Sequence, residues 1–100
     1  MSITDIVLNE FKERMHLGGH EDDNLRRILS ASLKDLKRIC GDYDINTDED
    51  FKELVFERSR YVYNDALEYF HTNFLTQINN LNLNKALESI IVDGEPDATV

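Results

Sequence analysis

The stretch of this 100-residue chain whose residue types best fit a chemical task is DYDINTDEDFKE, Asp42 to Glu53. Asp42, Asp44, Asn46, Asp50 and Glu53 fall on positions 1, 3, 5, 9 and 12 of a calcium-binding EF-hand loop. Oxygen ligands at alternate positions, closed by a bidentate Glu, are what Ca²⁺ requires. Two positions depart from that pattern. Thr47 stands where a sharp turn normally needs Gly, and its branched Cβ resists that conformation. Glu49 occupies a position that is usually apolar, and the sequence offers no second hand to pair with. The competing reading is that acids crowd the positive end of the next helix, with Asp50 and Glu53 forming a capping box. A single EF-hand-like calcium-binding helical module is therefore the alternative function, and no metal site is assigned.

Other candidate chemistry is thinner. His16 and His20 lie four apart near Asp22 and Asp23, but Gly18 and Gly19 interrupt the helix that would align them. His71 stands alone on a polar arc. Ser30, Ser32 and Ser59 lack a His–acid partner at useful spacing, and no glycine-rich loop could cradle a phosphate. Cys40 falls on an apolar helix face, where a buried structural thiol is expected rather than a nucleophile. The expectation is a protein with no catalytic residues and no cofactor.

The elements that must position these residues are helices. Four Gly and one Pro leave few breaks, and β-branched runs are scarce outside Ile90 to Val92. The spacing predicts a first helix over 3–16, capped by Ser2 or Thr4, with Val7, Leu8, Phe11 and Met15 as its apolar stripe. A second, from Asn24 to Cys40, carries Leu25, Ile28, Leu29, Ser32, Leu33, Leu36, Ile39 and Cys40 in one arc, and Asp22 or Asp23 caps it. A third runs unbroken from Phe51 to Leu81, about 45 Å long. Wheel positions give it two apolar stripes, one from Phe51 to Tyr69 and one from Phe56 to Leu81. A rod of that length exceeds what a domain of this size can cover.

The expected architecture is all-α: a small helical bundle in which a two-helix hairpin packs on one long C-terminal helix. A helical domain over 1–83 is followed by a flexible acidic tail over 84–100, within which Ile90, Ile91 and Val92 tuck back or dock on a neighbour.

Net charge is −9, which argues against gripping nucleic acid. Arg26, Arg27, Lys34, Lys37 and Arg38 bunch together but alternate with acids, as a solvated face does. One Cys excludes an intramolecular disulfide and is compatible with a reducing compartment. No hydrophobic run approaches the ~20 residues of a membrane span, so no membrane partner is expected. The opening MSITDIVLNEF carries acids where a signal peptide needs bases, so the chain is expected to remain where it is made.

The run ERSRYVYNDALEYF, Glu57 to Phe70, alternates ion-pair formers with three tyrosines. Glu57 with Arg60 or Tyr61, and Arg58 with Asp65, lie within reach of neighbouring turns. Tyr and Arg are also the side chains interfaces favour. An interior place for Arg58 would require a carboxylate partner. FKELVFERSRYVYNDALEYFHTNF resembles the C-terminal helix of the tailed-bacteriophage head–tail connector (adaptor) family. EDDNL followed by LRRILSASLKDLKRICG is similar too, so the likeness covers roughly residues 3–83. The resemblance implies a structural virion protein, made in the host bacterial cytoplasm, that binds beneath the portal protein in a dodecameric, homo-oligomeric ring. It implies that the ring extends the channel, that DNA passes without specific binding, and that a stopper or tail-completion protein docks on it. Arg58, Arg60, Tyr61, Tyr63, Asn64 and Asp65, with Ile90, Ile91 and Val92, are the expected structural or interface residues.

Overall fold

The computed structural model describes residues 3–93, and every regular element among them is helical. Helix α1 spans Asp5–Met15, α2 Asp22–Cys40 and α3 Glu49–Tyr63. A 3₁₀ turn at Leu67–Tyr69 and the short α4, Phe70–Asn73, lead into α5, Leu75–Asp93.

Local chemistry sets most of these boundaries. Thr4 caps α1 by accepting the Val7 N–H at 3.2 Å. The stop expected at Gly18 and Gly19 comes earlier, because His16 itself adopts the left-handed conformation (φ 59°). The Leu17 N–H then donates to the Lys12 carbonyl at 2.9 Å. Asp22 and Asp23 lie inside the first turn of α2 rather than capping it, where their charge complements the helix dipole. Gly41 closes α2 at φ 120°, a conformation costly for any residue with a Cβ.

Helix α2, not the stretch after Phe51, is the centre of the molecule. It packs against α1, α3 and α5. Leu25, Leu29, Leu33, Leu36 and Cys40 face the core, which Val7, Leu8 and Phe11 of α1 and Phe51, Leu54, Val55 and Phe56 of α3 complete. Phe11 and Phe56 meet with ring centroids 5.4 Å apart.

The single helix expected from Phe51 to Leu81 is broken after Tyr63, and the hairpin-on-a-rod arrangement goes with it. Asp65 takes a left-handed φ of 58°. Its N–H donates to the Val62 carbonyl at 3.0 Å, and the Ala66 N–H donates to Tyr61 at 2.8 Å. These two bonds are the Schellman stop, with Asp where Gly is usual. A left-handed L-residue costs roughly 1–2 kcal/mol. The fold-back buries Phe70, Ile78 and Leu81 in return, at about 1.5–3 kcal/mol for each large apolar side chain. Burial wins by several-fold.

Helix α5 lies on the C-terminal end of α2 and the loop that follows. Asn82 donates to the Ile39 carbonyl at 2.6 Å, and the Tyr43 hydroxyl donates to the Leu81 carbonyl, also at 2.6 Å. The Lys85 ammonium sits 4.2 Å from the centre of the Tyr43 ring. The helix continues through the expected domain boundary at residue 83 as far as Asp93, so residues 84–93 are helix rather than tail. Residues 94–100 of the expected tail lie outside the described residues. The molecule extends 56 × 28 × 17 Å with a radius of gyration of 15.5 Å, against about 13 Å for a compact domain of this length.

Candidate interaction surface

The acidic loop is folded by its own carboxylates. Asp44 accepts the Asn46 N–H at 2.9 Å, and its carbonyl accepts from Thr47 and Asp48. Asp48, rather than Asp50, caps α3 by accepting the Phe51 N–H at 2.9 Å. Tyr43 and Ile45 turn into the core. Asp42 bonds Lys37 at 2.9 Å, which holds its carboxyl below the usual range. Glu53, the would-be closing ligand, is taken bidentately by Arg14, both oxygens at 2.7 Å, and is held low by that bond. No group of three or more metal-binding side chains gathers among the described residues.

The ERSRYVYND run is spent mainly on internal contacts. Arg58 is pulled across to α2, where its Nε bonds Asp35 at 3.2 Å and its Nη1 bonds the buried Ser32 hydroxyl at 3.0 Å. Asp35 is therefore the carboxylate that an interior Arg58 required, and Asp65 is not its partner. Arg60 bonds Glu57 and lies 5.1 Å over the Tyr61 ring. Tyr61 meets Phe70 and Phe74 edge-on at 5.8 and 5.7 Å, and its hydroxyl accepts from Asn73. The Tyr63 hydroxyl donates to Glu21 at 2.6 Å, which raises the phenol above its usual range. Asn64 returns a side-chain N–H to the Arg60 carbonyl at 3.0 Å. Asp65 makes the turn. Arg58 and Tyr63 tie α3 to α2, Arg60 and Asn64 bond within α3, and Tyr61 and Asp65 hold the chain where it reverses.

Cys40 is buried beside the Ile78 carbonyl, and burial pushes its thiol up to about 11. It is a packing residue. Among the described residues, no helix is long and apolar enough to cross a membrane.

Ile6 of α1 and Leu67 and Tyr69 of the 3₁₀ turn are exposed apolar side chains, and α5 carries a further group of them. Ile78, Leu81 and the Lys85 stem point to the body. Leu83, Leu87 and Ile90 recur at i, i+4 and i+7 on a different face and are 57%, 46% and 64% exposed. Leu75, at the start of the helix and off that face, is 53% exposed. Ile90 was an expected interface residue; Ile91 and Val92 share the helix backbone, and their side chains lie outside the described residues. Leu83 and Leu87 were missed. The signal was LxxxLxxI in LNKALESI, which reads as helical once the segment is taken as helix rather than tail.

A second feature is a trough of about 700 Å³ between α3 and α5. Its apolar lining residues are Leu54, Phe74 and Leu81, of which Phe74 is part-exposed and the other two are buried. Asp50, Glu53 and Glu57 rise along one wall, and Gln77, Asn80 and Asn84 along the other. Comparison of the chain with protein-family models, with curated proteins and with solved structures finds no match.

Proposed function

We propose that this chain is a non-catalytic helical adaptor of the tailed-phage head–tail connector kind. It acts as a virion protein, assembled in the host cytoplasm, that joins a ring of its own copies beneath a portal protein. The ring lengthens the DNA channel and offers a surface to a stopper or tail-completion protein. The observation that carries the reading is the second apolar face of α5, Leu83, Leu87 and Ile90, on a helix already anchored to the body by its other face. Two apolar faces on one projecting helix suit a subunit completed by neighbours. The likeness of FKELVFERSRYVYNDALEYFHTNF to the family supplies the choice of partner, and the net charge of −9 suits a lumen that DNA passes without adhering.

The test is to mix the purified chain with a cognate portal ring and image the product. An added ring of density is expected. A Leu83→Glu/Leu87→Glu variant, altered only at exposed positions, is expected to remain folded and to add no ring. Absence of any added ring with the parent chain, or an unchanged ring with the double variant, overturns the reading.

A further inference from the structure

We propose that the trough between α3 and α5 is a docking site for a basic amphipathic helix of a protein partner. Its walls repeat with helical period: carboxylates at Asp50, Glu53 and Glu57 on α3, and amides at Gln77, Asn80 and Asn84 on α5, each at i, i+3 and i+7. Seven residues of helix span about 10.5 Å, so the trough is two turns long. A guest helix presenting apolar side chains at i, i+3 or i+4, and i+7 matches that length and meets the apolar lining, chiefly the part-exposed Phe74 beside the buried Leu54 and Leu81.

Charge selects the guest. The charged residues lining the trough are all carboxylates. Arg14 and Arg60 balance Glu53 and Glu57 from outside the lining, while Asp50 has no cationic partner among the described residues. With the chain at −9 overall, a Lys- or Arg-edged guest is drawn in and an acidic one repelled. The amide wall both donates and accepts, so the guest's other edge need only be polar. A second copy of this chain, itself acidic, is the wrong sign.

The experiment measures fluorescence anisotropy of three labelled 18-residue helical peptides against the full chain: Leu/Lys patterned, Leu/Glu patterned, and Gln/Lys without apolar anchors. The Leu/Lys peptide is expected to bind at least tenfold tighter than either of the others. Asp50→Lys and Asn80→Arg, both at exposed positions, are expected to weaken it at least tenfold with helical circular dichroism unchanged. Asp23→Lys, the same charge change away from the trough, is expected to shift it less than twofold. Equal binding of the Leu/Glu or Gln/Lys peptide overturns the proposal. So does an equal loss with Asp23→Lys, which would mean bulk charge alone. Sedimentation showing a dimer that Asn80→Arg abolishes would assign the trough to a second copy instead and also overturn it.

Discussion

Replacing Asp65 with Ala probes the reversal on which the fold turns. Asp65 holds φ 58°, where an L-residue costs roughly 1–2 kcal/mol and Asp or Asn is tolerated better than Ala. Ala is therefore expected to destabilise by about 1 kcal/mol, and Gly to stabilise by about 0.5–1 kcal/mol. Neither change can straighten the chain into one helix. Straightening strips Phe70, Ile78 and Leu81 from the core, which costs at least about 5 kcal/mol at 1.5–3 kcal/mol each. The measurement is urea unfolding of both variants, with Cα chemical shifts read at 64–66. For a urea slope of about 1–2 kcal/mol/M, the Ala variant's midpoint falls by roughly 0.5–1 M with the slope unchanged. The shifts stay non-helical in both. An Ala variant as stable as the parent, with helical shifts running through 64–66, refutes the reasoning: the break would then be a choice made by Asp65 alone rather than by burial downstream.

Two further outcomes follow from the ion pairs. Arg58→Met removes the donors to Asp35 and the buried Ser32 hydroxyl, and is expected to cost about 1–3 kcal/mol in denaturant unfolding; Arg58→Lys recovers only part, since one ammonium cannot span both acceptors. Arg14 lowers the Glu53 carboxyl below its ordinary 4.5, so the pair's stabilisation is present at neutral pH and lost as pH falls through the folded value. Glu53 is more than half exposed, so Glu53→Gln is expected to cost less than about 1 kcal/mol at neutral pH; the gap to the parent narrows on acidification, and a gap that widens contradicts the assignment.

Much of the fold was legible in residue spacing. The arc of α2 was readable because its apolar positions are unmixed, and those residues are the ones that meet α1, α3 and α5. The break at 64–66 was not, because the stop is an Asp in a glycine's place and the flanking apolar period runs on without a phase shift. Its helical spacing records burial against several partners, not one continuous rod. Arg58, Tyr61 and Tyr63, expected in structural or interface roles, have polar tips that find partners inside the molecule: Arg58 donates to Asp35, Tyr63 donates to Glu21, and Tyr61 accepts from Asn73. The acidic loop looked like a ligand set because period-two oxygens also serve Asx turns and helix caps, the uses that Asp44 and Asp48 have here. Leu83 and Leu87 escaped because Asn-rich flanks and the lack of a capping signal hid the helix that carries them.

Where α5 is gripped has a mechanical consequence. Its fixings, the buried Ile78 beside Cys40, Tyr43 to Leu81, Asn82 to Ile39 and Lys85 over Tyr43, all fall between Ile78 and Lys85. About 12 Å of helix extends beyond Lys85. A sideways push on that arm therefore acts as torque about a fulcrum at the Gly41–Tyr43 corner. The load enters the molecule through the end of α2 and leaves the α1–α3 clasp, Arg14 on Glu53, off the line of force.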